Sequence, residues 1–278
     1  MRIDEILFAE TGITNPLYKK FFINNAIAGT EKIYVYTSPG GVPSQGNCGN
    51  ITYGAGLANQ MTPWCLSTGT GPFCYSEIAV VCSLWFWIPR EYLQQSGTLT
   101  VTPDFDIHGF YWDRANMVLG TTKEAAIALR MQTNLYRSTE PVASTTFWTA
   151  LNYDGDNIDQ SGRFDYTGYN SSAMGTMQVA ADEPAFVQIV AELDAFAQGA
   201  RSIGLLNFNV EGNAIKIPNL RCSLHATRQI LIANERFVII SNHKSQPLTL
   251  VKHKTYASKE KGKPIFLYFC FFISSETS

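Results

Sequence analysis

Three aspartates stand within six positions, Asp154, Asp156 and Asp159, in the stretch NYDGDNID. Hard oxygen ligands at such short spacing belong to the chemistry of calcium, which gathers about six to eight oxygens in a loop that curls around it. The further ligands and the later glutamate of an EF-hand pattern are absent. The competing reading is a turn whose Asp and Asn side chains bond their own backbone. The residues favour that turn, a polar crossover between two strands. Asp154, Asp156 and Asp159 remain the candidate Ca2+ ligands, and no other cofactor is expected.

Around these aspartates lie Trp148, Tyr153, Phe164, Tyr166 and Tyr169. Aromatic faces beside Asp and Asn are what a carbohydrate site uses, so Trp148, Tyr153, Tyr166 and Tyr169 are candidate glycan-binding residues. The plainer reading makes them half-buried sheet residues or interface anchors.

No catalytic constellation appears. His108, His225, His243 and His253 are scattered, with no spacing to the cysteines that makes a metal or nucleophile site. G-x-S-x-G, HExxH and a phosphate-binding glycine loop are all missing. Asp104 with Asp106, and Glu192 with Asp194, are each two apart and share one face of a strand. Surface carboxylates are common, so this alone makes no acid–base pair. The expectation is a protein that is not an enzyme.

The chain has 278 residues, of which 45% are hydrophobic and only 16% charged. That is enough apolar material for a full core, with less charge than the usual quarter. Seventeen Phe, 13 Tyr and 5 Trp fit large sheet surfaces and partner subunits. A net charge of −2 gives no overall attraction to nucleic acid or an anionic membrane. The six cysteines include no CxxC pair and read as buried free thiols. The N-terminus lacks a signal-like apolar run, and the longest apolar stretch, 265–273, is too short for a membrane helix of about 20 residues. A secreted or membrane protein is therefore not expected.

The recurring pattern is short alternation. KIYVYT (32–37), IAVVCSLWFWI (78–88), GTLTVTP (97–103), FDIHGFYW (105–112), AIALRMQTNLYR (126–137) and TTFWTAL (145–151) read as strands, with further runs to residue 273. EPAFVQIVAELDAFAQGA also fits a helix, with Phe186, Val190, Leu193 and Ala197 on one stripe. At least ten such runs without βαβ alternation imply an antiparallel sandwich.

The stretch from VCSLWFWIPREYLQQSGTLTVTPDF (81–105) through ALNYDGDNID (150–159) to the end at residue 212 resembles β-sandwich virion proteins of tailed bacteriophages and related viruses. Pro89, Gly97, Thr98, Leu99, Thr100, Gly155, Asp156, Asp159, Asp194, Ala200, Arg201 and Gly204 stand at the places of the shared pattern. The resemblance covers about residues 80–212 and implies a jelly-roll-like sandwich with a structural, multimeric role in a virion and no catalytic residue. It also tips 186–193 toward strand.

The expectation is thus an all-β antiparallel sandwich, jelly-roll-like, with extended arms. Residues 1–76 form an N-terminal arm and long loop region, 77–240 the sandwich, and 241–278 a basic linker and C-terminal arm. The expected role is a self-assembling virion protein, made in the host cytoplasm, whose partners are its own copies and other virion proteins. The alternative is a lectin-like attachment module for a glycan receptor. The lysines of 244–263 read as linker or subunit contact rather than a nucleic-acid arm, because they are dispersed.

Overall fold

The computed structural model describes residues 18–115, 123–137 and 142–226, and the backbone of four strands beyond them. In chain order the strands are β1 (Tyr18–Ile23), β2 (Ala26–Thr37), β3 (Gln45–Asn47), β4 (Ile51–Thr52), β5 (Gln60–Met61), β6 (Trp64–Thr68), β7 (Tyr75–Ile88), β8 (Gly97–Ala115), β9 (Glu124–Arg137) and β10 (Val142–Gly155). There follow β11 (Ile158–Tyr169), β12 (Gly175–Val179), β13 (Ala185–Gln198), β14 (Ile203–Asn207), β15 (Ala214–Lys216) and β16 (Leu220–Ala226). The strands pair antiparallel throughout, as expected of a chain without βαβ alternation. The ambiguous run at 186–193 is strand, inside β13. No described helix is long and apolar enough to cross a membrane.

Two sheets face each other. One has five strands in the order β10-β9-β13-β7-β2, and the other has eleven. The larger sheet is built on β8, whose 19 residues pair with β12 and β11 on one side and with β16, β15 and β14 on the other. The runs 97–103 and 105–112, separate in the sequence reading, are therefore one strand. Alternate residues of β7 (Ile78, Val80, Leu84, Phe86), β9 (Ile127, Leu129, Met131) and β13 (Val187, Ile189, Leu193) point inward. They meet Leu99, Val101, Phe105 and Ile107 of β8 in one core. Each fully buried side chain of this kind contributes about 1.5–3 kcal/mol. Close packing uses glycine at Gly109, where an added Cβ would sit 2.2 Å from the Phe208 ring.

The sandwich begins well before residue 77. β2 runs along β7, and β6 pairs with β14, so residues 18–68 contribute six strands to the two sheets. Those pairings are long-range, and local periodicity cannot show them. The compact units are residues 1–226 and 227–278. Within the second unit, β17 (Leu231–Ile232) and β18 (Arg236–Ile239) pair with β19 (Leu250–Glu260), which pairs in turn with β20 (Lys263–Phe271). Residues 1–17 of the expected arm, residue 240 of the expected sandwich and 241–249 of the expected linker lie outside the described residues.

Cys48 and Cys82, read from the sequence as free thiols, form a disulfide with Cα atoms 5.7 Å apart. It ties the segment after β3 in one sheet to the inner face of β7 in the other. Cys65, Cys74 and Cys222 are free, and burial pushes the Cys65 and Cys222 thiols well above their ordinary range.

Two predictions follow from this core. The bridge closes a sequence separation of 34, which in the chain-entropy view is worth about 4 kcal/mol. The double variant Cys48→Ala/Cys82→Ala will melt roughly 10 °C lower by circular dichroism. Reductant will lower the wild type to the same point and leave the variant unmoved. The second concerns Asp113 on β8, which is fully buried with both carboxylate oxygens lacking a hydrogen-bond partner. Burial, with the Asp154 charge adding to it, lifts its carboxyl from 3.8 to about 7. Below the lower value both states hold the proton. Between the two values only the folded state holds it, so stability falls as pH rises through this window and then levels off. Asp113→Asn will remove about 3 kcal/mol of the stability difference between pH 5 and pH 8, read from denaturant midpoints. Identical pH profiles for variant and wild type would contradict the assignment.

Candidate functional site

The aspartate stretch is a crossover, as the residues favoured. Asp154 and Gly155 end β10 in the five-stranded sheet, and Ile158 begins β11 in the other. Asp156 and Asn157 make the exposed link. Asp159 lies 3.9 Å from the Arg114 guanidinium. Among the described residues no three Asp, Glu, His or Cys side chains converge to hold a metal ion. Asp154, Asp156 and Asp159 are thus not brought together as a ligand set.

The aromatics near them close the mouth between the sheets where β10 and β11 part. Trp148 packs against Phe105 at 5.3 Å and Tyr166 at 4.6 Å between ring centroids. Tyr153 stacks on Tyr111 at 5.1 Å, with their hydroxyls 3.3 Å apart. Tyr166 donates its hydroxyl hydrogen bond to the Tyr169 carbonyl at 3.0 Å. Trp148, Tyr153 and Tyr166 are half-buried against the core, with the rings of Trp148 and Tyr166 engaging each other and that of Tyr153 engaging Tyr111. Tyr169 is exposed and carries the Arg221 guanidinium 4.9 Å from its ring centre.

On the outer side of the eleven-stranded sheet, His108 sits between two carboxylates. Its Nε2 lies 2.9 Å from Asp106 and its Nδ1 2.7 Å from Asp165. The Asp165 bond and the Asp106 bond raise the imidazole above its ordinary value, against the opposing effect of burial. Asp106 also accepts from Thr167 at 3.1 Å and lies 3.4 Å from the Lys216 ammonium. Asp104 accepts from Arg221 at 2.8 Å. These are cross-strand ion pairs that tie β8 to its neighbours, and each carboxylate is already engaged.

A different surface carries the densest arrangement of polar and aromatic groups. The inward residues of β7, β9 and β13 are committed to the core, so their alternate residues all share the outer face. There a chain of side chains crosses all five strands. Thr30 of β2 hydrogen-bonds Ser83 of β7. Ser83 accepts from the Gln188 amide of β13 at 3.1 Å. Gln188 accepts from Asn134 of β9 at 3.0 Å and from the Tyr136 hydroxyl at 2.8 Å. Asn134 in turn accepts from Thr145 of β10 at 2.9 Å and from Gln132 at 2.8 Å. Ser83 and Asn134 are only 2% and 5% exposed, although they lie on the outer face.

Aromatic groups flank this chain at both ends of the sheet. Toward one end, Trp85 and Tyr136 lie 5.1 Å apart, with Phe186 and the exposed Trp87 on the same face. Toward the other, Tyr36, Tyr75 and Phe196 form a row with centroid spacings of 5.7 and 5.9 Å. Between the polar chain and that row lies a charged group. Arg130 binds Glu192 at 3.0 Å and also binds Asp194. Burial, with Glu192 adding to it, lifts the Asp194 carboxyl to about 6 against the opposing pull of Arg130. The face is ~19 Å across five strands, and ~27 Å separates Glu77 from Trp85 along β7.

Of these groups the sequence pattern marks Glu192 and Asp194 as a same-face pair. Trp85 and Trp87, inside an apolar run that suggests core, lie on the outer face. Their positions, two apart on one strand and out of phase with Leu84 and Phe86, carried that information.

No protein-family model matches the chain, and no curated protein matches it. A solved structure of a family 11 carbohydrate-binding module from Clostridium thermocellum, in complex with a β-1,3-1,4-mixed-linked tetrasaccharide, aligns with 75% of this chain and 91% of that chain. The identity is 10% and the TM-score 0.17, and a likeness of that size carries no argument about function.

Proposed function

We propose that the chain is a non-catalytic binding module whose ligand is a carbohydrate, held on the outer face of the five-stranded sheet. The observation that carries this reading is the hydrogen-bonded chain from Thr30 to Thr145, set between two aromatic groups. A pyranose presents an apolar C–H face and a rim of hydroxyls. The first packs on an aromatic ring, and the second exchanges hydrogen bonds with amides, hydroxyls and carboxylates. Both amide oxygens in the chain accept two bonds each, which fixes the orientation of Gln188 and Asn134. The half-buried Gln188 nitrogen carries two donors and uses one, to Ser83, so one stays available to a ligand, while the buried Asn134 holds Gln188 in place. Preorganised donors of this kind reduce the ordering cost of binding.

A second reading is a structural protein of a virion that assembles through its own copies. Its support is the C-terminal unit, whose last strand, KPIFLYFCF, is apolar after its first residue, Lys263, and pairs with β19 alone among the described residues. Such a strand calls for a covering partner. Electron microscopy of the purified chain tests it: closed shells, rings or tubes support assembly, and dispersed particles remove it.

For the first reading, a glycan array will identify the bound class, and calorimetry with a hit oligosaccharide will give its affinity. Gln188→Ala and Trp85→Ala will each weaken binding roughly thirtyfold, in the range of an interface hot spot. Tyr169→Ala and Asp156→Ala will leave affinity within about twofold, and chelator will not change it. No binding to any glycan, or loss of binding only with the last two variants, would overturn the reading.

A further inference from the structure

β2 is the outermost strand of the five-stranded sheet. It pairs with β7 and, among the described residues, with no other strand. Its second half is open on both faces: Ile33 is 42% exposed, Tyr34 58%, Val35 48% and Tyr36 59%. A free edge carries a row of unpaired N–H and C=O groups, and long apolar edges are templates for another strand. Proteins that keep such an edge single use proline, bulges or inward-pointing charge. Between residues 31 and 37 there is no proline, the bulge of β2 lies earlier, at Ala26/Ala28, and the inward-facing charge, Glu31, is engaged by the Cys48 N–H at 2.9 Å.

We propose that this edge pairs with the same edge of a second copy of the chain, antiparallel, about a two-fold axis at Tyr34. An axis perpendicular to the sheet keeps inner and outer faces continuous, so residues opposite one another must lie on the same face. With the axis at Tyr34, that residue meets the partner's Tyr34. Ile33 then meets the partner's Val35 on the inner face, and Lys32 meets the partner's Tyr36 on the outer face. Glu77 lies beside Tyr36 on β7, on that same outer face. Lys32 and Glu77 are both exposed, and among the described residues neither forms an ion pair. The pairing brings each lysine over an aromatic ring and within reach of the opposing glutamate.

Other registers are poorer. An axis at Lys32 sets two lysines against each other. An axis at Ile33 sets Glu31 against Val35. Of these three registers, the axis at Tyr34 is the one that sets Lys32 opposite Tyr36 and its β7 neighbour Glu77, and this charge complementarity points to a second copy as the occupant. The result is a ten-stranded sheet across two copies, with the two outer faces side by side. Simultaneous engagement of one polymer by both faces would raise avidity through effective concentration. The pairing itself does not depend on glycan binding.

Sedimentation velocity of the full chain over a dilution series tests it. Wild type will show a monomer–dimer equilibrium. Tyr34→Glu, which places two like charges on the axis, will weaken the dimer roughly a hundredfold with an unchanged circular dichroism spectrum. Lys32→Glu will weaken it less, and adding Glu77→Lys will restore it. Wild type that is monomeric at every concentration overturns the proposal. So does a dimer untouched by Tyr34→Glu, or a Lys32→Glu defect that Glu77→Lys does not rescue. Absence of glycan binding in the array leaves this result standing, so the two readings fail separately.

Discussion

Everything in the first unit depends on the two-residue alternation of β7, β9 and β13 being held in register. These strands pair without interruption over 14 residues on each side of β13. A slip of one residue would turn Ile78, Val80, Leu84, Ile127, Leu129 and Val187 away from the core. The cost of that exchange fixes the register, and the register then fixes what stands outside. Ser83, Gln188 and Asn134 line up across the sheet because Leu84, Ile189 and Leu135 must be buried beside them. The polar chain on the outer face is a by-product of the core's pattern before it is anything else.

The larger sheet solves a different problem. Its many short strands, some of two or three residues, have little pairing of their own. β8 supplies a continuous backbone partner to four of them, β12, β14, β15 and β16, and to the longer β11. The crossover at Asp156–Asn157 hands the chain from one sheet to the other, and the aromatic rings beside it fill the widening gap. Trp148, Tyr153 and Tyr166 are therefore explained by packing, and Asp154 to Asp159 by the need for a tight polar link. The Cys48–Cys82 bridge joins the sheets at a second place.

The class of fold was legible because β7, β8, β9 and β13 carry long apolar alternations. β11 was not named as a strand. Its inward positions are Gly162, Phe164, Tyr166 and Gly168, too mixed in size for a hydrophobic period. β1, β3 to β6 and β16 were hidden by shortness or by the cysteine- and glycine-rich stretch between 38 and 76. Strand order was the larger gap. Arg130, Gln132, Asn134 and Tyr136 were visible as one face of one strand, and Glu192 with Asp194 as one face of another. That β9 and β13 lie side by side is a long-range fact, and only that fact assembles them into a surface. The disulfide was hidden for the same reason, since nothing in the spacing of six cysteines selects Cys48 with Cys82.

The central claim is that the outer face of the five-stranded sheet is where this module meets its ligand. Backbone amide chemical shifts, followed by NMR while an array-selected oligosaccharide is titrated in, test it most directly. The account predicts shifts concentrated on β7, β9 and β13 around Ser83, Asn134 and Gln188, with the β10–β11 crossover unmoved. Shifts centred on Asp154 to Asp159, or on the ion pairs around His108, would contradict it.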